Sequence, residues 1–260
     1  FGATYKGHTN YNLAQRLYNY ASLCWFMFST PILSNGGTTR GLPISCFLNY
    51  VPDSRTGLSD HYDENIWLAS AGGGIGGYWG DVRSNGTSTS NGSKSTGSIP
   101  FMHVVDSQML AFNQGVTRRG SYAAYMDIDH PEVEEFIAMR KTTGGDLNRK
   151  CLNLHNGVNI TNEFLDAVKE DKEWRLIDPK SKEAIKNVSA RDLWWQLLHT
   201  RSETGEPYIV NIDNCNDALP QQQKDLGLEV KQSNLCSEIT LPTNEERTAV
   251  CCLSSVNVEK

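Results

Sequence analysis

Asn234, Cys236 and Glu238 set an amide, a thiol and a carboxylate at alternate positions of Asn234-Leu235-Cys236-Ser237-Glu238. In a strand or finger-like loop of period two, all three side chains point to one side. A neighbouring carboxylate raises a thiol's pKa and suppresses the thiolate, which argues against ordinary nucleophilic catalysis by Cys236. Chemistry that uses the thiol as a one-electron species meets no such objection. On the pentapeptide alone, the competing reading is a buried structural cysteine between two solvated polar residues.

Two further cysteines sharpen the radical reading. Cys46 lies in Pro43-Ile44-Ser45-Cys46, and Cys251 in Ala249-Val250-Cys251-Cys252-Leu253-Ser254. Ser29-Thr30-Pro31 precedes the first, Gln232-Ser233 leads into Asn234, and Ile239-Thr240-Leu241-Pro242-Thr243 follows Glu238. On these residues, from about Thr30 to Lys260, the chain resembles the large catalytic subunit of ribonucleotide reductase. Gly41-Leu42-Pro43-Ile44-Ser45-Cys46-Phe47-Leu48-Asn49 makes it most like the aerobic two-subunit class.

The resemblance implies that Cys236 is the thiyl radical that removes the 3′ hydrogen of the substrate ribose. Glu238 would take the 3′-OH proton, Asn234 would hydrogen-bond the sugar hydroxyls, and Cys46 and Cys251 would finish as a disulfide. Cys252 is the rival to Cys251 and is read as packing, as its side chain would leave the opposite face of a strand. By the same resemblance Thr30 and Ser45 would hold substrate phosphates, and Gly74 of the Gly-rich segment would line the active site. Asp53, Ser54 and Arg83 would contact a deoxynucleotide or ATP effector carried with Mg2+. The implied partners are a ribonucleoside diphosphate, a small subunit whose metal cofactor generates the radical, a thioredoxin or glutaredoxin-type reductant, and a second large subunit. An adenosylcobalamin-dependent reductase is the enzyme alternative. A non-catalytic nucleotide-binding module is the alternative of another class.

The elements that must position these residues read as α/β. Tyr11 to Phe28 predicts a helix passing into a buried apolar segment that Pro31 stops, and Ser34-Asn35-Gly36-Gly37 a loop. Ile44 to Tyr50 predicts a strand, Glu64 to Ala71 a helix running into Gly72-Gly73-Gly74-Ile75-Gly76-Gly77, and Tyr78 to Arg83 a strand. Residues 84–98 are too polar to pack and predict a mobile surface loop. Pro100 to Ala111 is helical in pattern, Gln114 to Gly120 a loop that the resemblance places between effector and substrate base, and Ser121 to Met126 a strand. Asp129 is read as the cap of the next helix, with Pro131 near its first turn. Val158 to Ile160 predicts a strand, Asn162 to Lys169 a helix, and Trp174 to Ile177 with Asp178-Pro179 a hairpin. Ser189 with Asp192 starts a helix that Gly205 ends, and Tyr208 to Ile212 is an apolar strand. Strands alternating with helices imply a parallel arrangement. The resemblance makes this part of a ten-stranded α/β barrel, incomplete at its C-terminal side, with residues 1–28 ending an N-terminal helical region and 29–260 forming the first part of the barrel.

Other chemistries fit less well. The glycines satisfy a dinucleotide-binding pattern but follow a helix, with no acidic residue near position 97 to take a ribose. No Cys-X-X-Cys pair or His cluster suggests zinc. Asp127, Asp129 and His130 are better explained by capping than by a metal. Cys24, Cys151 and Cys215 carry no motif and read as structural. A net charge of −6 disfavours a nucleic-acid binder, which needs a basic face. Seven cysteines without a short secreted framework favour a reducing cytoplasm, and no run of about 18 apolar residues predicts a membrane span.

Overall fold

The computed structural model describes residues 11–112 and 119–260. The chain opens with α1 (Tyr11–Ser22), β1 (Phe26–Phe28) and α2 (Thr30–Asn35). The helix expected from Tyr11 therefore ends at Ser22, the apolar segment after it leaves Leu23, Trp25 and Met27 exposed where burial was expected, and Pro31 stands in the first turn of α2. Proline starts a helix as readily as it stops one, because the first-turn N–H has no intrahelical acceptor to lose. Ser34 and Asn35, expected in a loop, complete that helix.

Next come β2 (Cys46–Tyr50), α3 (Arg55–Ser70), β3 (Gly74–Tyr78), α4 (Ile99–Ala111), β4 (Ser121–Asp127), α5 (Val133–Ala138) and β5 (His155–Ile160). They are followed by α6 (Asn162–Lys169), β6 (Glu173–Ile177), β7 (Ala184–Ser189), α7 (Ala190–Thr204), β8 (Tyr208–Asn211), α8 (Ile212–Asp217), α9 (Gln221–Asp225), β9 (Ala249–Cys251) and β10 (Ser254–Val256). The third strand is the glycine run itself, not the segment after it. The helix cap expected at Asp129 falls instead at Glu132, which makes no side-chain capping bond. Ser189 and Gly205 bound α7 as expected, Ser189 accepting from Asp192 N and Gly205 adopting φ 81°.

Six strands form one sheet in the order β8-β5-β4-β3-β2-β9. The first five are mutually parallel, and β9 adds antiparallel to β2. This is an open α/β sheet, as an incomplete barrel requires. β1 and β10 form a separate antiparallel pair, and β6 and β7 form the expected hairpin.

Strand alternation sorts side chains between two environments. Phe47, Ile75, Tyr122, Ala124, Met126 and Val158 face a core shared with Ala69, Met102, Phe136, Phe164 and Leu193 of the helices. Each large apolar side chain buried there contributes roughly 1.5–3 kcal/mol. Ala123 and Tyr125 belong to the opposite face, in one small cluster with Tyr78 and Val210, while Cys46, Leu48, Ile239 and Ala249 form another. The helices cover one face, and the segment around Cys236 lies across the other.

The polar stretch 84–98 is tied at both ends. Asp178, in the turn between β6 and β7, accepts from Ser84 N (2.8 Å), Ser84 Oγ (2.6 Å) and Thr87 Oγ1 (2.7 Å). Glu132 accepts from Ser98 N (2.7 Å) and Oγ (2.9 Å) and pairs with Arg149 at 2.8 Å. Ser84 and Ser98 are buried, so a segment too polar for an apolar core is held by two carboxylates instead.

Candidate active site

The segment bearing Cys236 is a turn, not an extended strand. Leu235 and Cys236 occupy its tip, Ser237 N donates to Asn234 O at 3.2 Å, and Ser237 takes φ 64°. The alternation expected from a strand therefore fails, and the three polar residues divide their work. Asn234 is wholly buried, while Cys236 and Glu238 are exposed at the tip.

Asn234 organises the finger from within. Its Oδ1 accepts from Glu238 N (3.0 Å) and Ile239 N (3.2 Å), and its Nδ2 donates to Cys46 Sγ at 3.3 Å. Its carbonyl accepts from Tyr125 Oη at 2.5 Å. Ser233 Oγ donates to Ile239 O (2.7 Å), which joins the two limbs of the finger, and Thr243 Oγ1 donates to Gln232 Oε1 at 2.8 Å. Gln232 Nε2 donates to Asn49 O at 2.8 Å, which fastens the stem to β2.

Glycine lets the finger lie directly on the sheet. A Cβ on Gly76 would stand 2.0 Å from Ser233 O, and one on Gly74 would meet the Leu235 side chain at 3.0 Å. Gly77, on the other face, makes room for Tyr122, whose hydroxyl a Cβ would meet at 1.7 Å.

Cys46 and Cys251 are directly opposed in the antiparallel register of β2 and β9. Opposed residues of such a pair have Cα atoms about 4.5–5.5 Å apart, within the roughly 4.4–6.8 Å that a disulfide spans. Burial raises the Cys46 pKa, the hydrogen bond from Asn234 lowers it, and the charges of Glu238, Cys251 and Cys236 raise it again. The net direction is up, so this group stays a thiol at neutral pH. Cys251 is raised by burial and then by Glu238 and Cys252. These mutual influences put three thiols and one carboxylate within a single electrostatic neighbourhood, although they come from distant parts of the chain.

Cys252 does not pack as the sequence suggested: it is exposed, with Sγ 3.3 Å from Pro43 O. Cys151 is buried and Cys215 half-buried, while Cys24 is exposed, contrary to a packing role. Ser45 is buried with no hydrogen-bond partner for its Oγ. Thr30 is exposed at the start of α2. Ser29 N donates to Leu253 O (3.3 Å) and Ser45 N to Cys251 O (3.1 Å), so both segments border residues 251–253. Gly74 is the parallel-strand partner of Cys46.

Asp53, Ser54 and Arg83 lie elsewhere, around a cavity of about 480 Å3 that Arg55, Lys94, Ser95 and Phe101 also line. Arg83 Nε donates to both Asp53 oxygens at 2.9 Å, and this bond raises the guanidinium's pKa although burial opposes it. Ser54 caps α3, accepting from Gly57 N at 2.9 Å. Of the loop expected to link this cavity to the substrate base, residues 114–118 lie outside the described residues. His130 accepts from Glu132 N at Nδ1 (3.1 Å) and faces Val82 O through Nε2 (2.9 Å). Among the described residues no group of three or more His, Cys, Asp or Glu is arranged to hold a metal ion, and no helix is long and apolar enough to cross a membrane.

Sequence reasoning missed Tyr125 and Lys231. Tyr125 sits at an inward position of a strand whose polarity is masked by its aromatic ring, and only its contact with Asn234 reveals it. Lys231 precedes a motif whose specific residues begin at Gln232.

Residues 44–260 match the model of the ribonucleotide reductase barrel domain. A chain of Frog virus 3 (isolate Goorha), provisionally named as a ribonucleoside-diphosphate reductase large subunit, is 55% identical over 95% of this chain and 42% of its own length. The ribonucleoside-diphosphate reductase large subunit of Invertebrate iridescent virus 3 is 42% identical over 95% of this chain and 46% of its own. Among solved structures, the class Id ribonucleotide reductase alpha subunit of Actinobacillus ureae superposes with a TM-score of 0.79 at 34% identity, covering 95% of this chain and 42% of that one. The chain thus spans less than half the length of the relatives it matches. Its sheet, its finger and this family match over most of its length agree: the chain belongs to the ribonucleotide reductase family and carries part of its barrel domain.

Proposed function

We propose that this chain supplies the radical-bearing half of the active site of a ribonucleoside-diphosphate reductase catalytic subunit, with residues 29–260 as the first part of its barrel. The observation that carries the reading is the strand register that sets Cys46 against Cys251 beside a finger tipped by Cys236. A dithiol held at bridging distance, with a third thiol and a carboxylate beside it, suits a reaction that withdraws two electrons from the pair.

In this reading the Cys236 thiyl takes the 3′ hydrogen atom of the ribose, which weakens the neighbouring 2′ C–O bond. Glu238 accepts the 3′-OH proton as general base. The 2′-oxygen leaves as water with a proton from one thiol of the Cys46 and Cys251 pair, the pair delivers its second hydrogen to C2′ as it becomes a disulfide, Glu238 returns its proton to the 3′ oxygen, and the hydrogen held by Cys236 returns to C3′. Their raised pKa values suit thiols that act as hydrogen and proton donors. Asn234 orders the finger and presents its amide beside Cys46. Thr30, Ser45 and Gly74 would bound the substrate, and the unpartnered Ser45 Oγ suits a phosphate acceptor.

The Asp53, Ser54 and Arg83 cavity would take a deoxynucleoside triphosphate or ATP with Mg2+. Arg83 would face phosphate. The radical would come from the metal cofactor of a separate small subunit, a reading favoured by the class I alpha-subunit neighbour. A thioredoxin or glutaredoxin-type protein would regenerate the dithiol in the cytoplasm, and a homodimer is the expected assembly.

The test is deoxynucleotide formation from CDP by this chain joined to its natural continuation. Dependence on added small subunit, abolished by Cys236→Ser, is the expected result. Activity with adenosylcobalamin alone would move the protein to the cobalamin class, and turnover surviving Cys236→Ser would overturn the radical assignment.

A further inference from the structure

Two loops run from the sheet toward the Asp53 and Arg83 cavity. β2 ends at Tyr50 and leads to Asp53 and Ser54; β3 ends at Tyr78 and leads through Asp81 to Arg83. The Asp53–Arg83 ion pair closes these loops on each other at 2.9 Å. Between the sheet and that pair stands a second contact. Asp81 Oδ2 accepts from Tyr50 Oη at 2.8 Å and from Lys231 Nζ at 3.0 Å. The Lys231 ammonium also lies over the Tyr50 and Tyr78 rings, 5.6 and 5.1 Å from their centroids, and those rings stack on each other at 6.1 Å.

Lys231 belongs to neither loop. It heads the stem of the finger, immediately before Gln232, Ser233 and Asn234, and its carbonyl accepts from Asn159 Nδ2 at 2.7 Å. One cation therefore fastens the ends of β2 and β3, and the loops that lead to the cavity, to the segment that carries Cys236. The finger's internal order does not need this bond, since Ser233, Asn234, Tyr125 and Thr243 already hold it.

We propose that the Asp81–Lys231 contact is a coupling bond, and Lys231 a positioning residue, through which occupancy of the Asp53/Arg83 cavity sets the placement of Cys236. The inference rests on reading that cavity as the effector site and Cys236 as the radical thiol. A nucleotide phosphate competes with Asp53 for the Arg83 guanidinium. Releasing Arg83 shifts the turn in which Val82 N donates to Trp79 O at 3.1 Å, and Asp81 is part of that turn. Lys231 follows its carboxylate, and the finger stem follows Lys231. What is transmitted along this route is the geometry of the reacting thiol.

Coupling of this kind is reciprocal, so an effector that alters substrate binding must itself bind differently when substrate is present. The experiment uses the full-length chain with its natural continuation and small subunit. It measures the Kd of each of the four deoxynucleoside triphosphates by equilibrium dialysis, with and without CDP, alongside CDP reduction. In the wild type the Kd ratio should differ from one by roughly 5–150-fold for at least one effector. Lys231→Met should leave the Kd without CDP within about twofold, bring the ratio to one and abolish effector stimulation; Lys231→Arg should restore both. Asp81→Asn, which keeps a side chain able to meet Tyr50, should reproduce Lys231→Met and decides the matter if thermal unfolding shows that variant misfolded. A wild-type Kd ratio retained in full by the folded charge-removing variant would overturn the proposal. A wild type that binds no deoxynucleotide, or makes none from CDP, would instead overturn the reading beneath it.

Discussion

Gly76→Ala should disable the site from the strand on which the finger lies. The added Cβ would stand 2.0 Å from Ser233 O and 2.8 Å from Asn234 Cα, both backbone atoms that no side-chain rotation can move. Ordinary contact begins near 3.4 Å, so strand and finger must part by about 1.4 Å. Overpacking of this kind costs about 1–3 kcal/mol. The larger effect is positional: moving Asn234 that far breaks its 3.3 Å bond to Cys46 and displaces Cys236 with the turn. A misplacement of about 1 Å at a reacting group costs on the order of 100-fold in rate. Gly74→Ala is the matched comparison, as its Cβ meets Leu235 Cδ2 at 3.0 Å, which can rotate away, with Leu235 Cβ at 3.3 Å and Ser45 O at 3.6 Å, so the finger need give by only a few tenths of an ångström. Thermal unfolding and CDP turnover of the full-length protein should show modest destabilisation by Gly76→Ala with at least a tenfold larger activity loss than in Gly74→Ala. Equal activity in the two variants would refute the claim that the glycine strand exists to admit the finger.

Mild oxidation should join Cys46 to Cys251, detected by peptide mapping as one cross-link lost in Cys251→Ser; a bond from Cys46 to Cys252 instead would contradict the strand register. Asp178→Asn should destabilise the fold by about 1.5–3 kcal/mol, because it removes the charge from several hydrogen bonds, and should expose residues 84–98 to hydrogen exchange; unchanged protection there would show that the loop is held otherwise. Burial favours protonation of Asp178, but bonds from Ser84, Ser181 and Thr87 outweigh it and hold its pKa well below the carboxylate range. Its stabilisation is therefore present at neutral pH and is lost as pH falls below the ordinary carboxylate pKa. Asp127 has the opposite sign: burial raises it to about 6 against hydrogen bonds from Tyr78 and Asn159, so its contribution falls as pH rises from about 4 to 6. Denaturant unfolding of Asp127→Asn relative to wild type should show a difference that grows in favour of the variant across that window, by at most about 3 kcal/mol; a pH-independent difference would place the carboxylate in a more polar setting.

Where local chemistry decides an element, the sequence was legible. Ser189 and Gly205 mark helix ends through a side chain and through backbone freedom, and α7 follows from them. The hairpin of β6 and β7 was legible for the same reason, since the turn at Asp178 is built from its own residues. What failed was set by distant partners. Glycines at 74, 76 and 77 do not read as a strand because nothing local shows the finger that lies against two of them or the Tyr122 hydroxyl beside the third. The finger read as extended because its turn is closed by Asn234 and Ser233, whose bonds run across the loop. The cysteine motifs were visible as types, while their proximity was not, because it depends on an antiparallel strand arriving at the edge of a parallel sheet.

That arrival has a thermodynamic side. Cys46 and Cys251 are neighbours in space and roughly 200 residues apart in sequence, so a covalent bond between them would close nearly the whole described chain into one ring. The chain-entropy relation gives about 5 kcal/mol of added resistance to unfolding for a ring that long. A protein that alternately forms and releases this bond would stiffen and relax its unfolded ensemble once per cycle, and its melting temperature would report which half of the cycle it occupies.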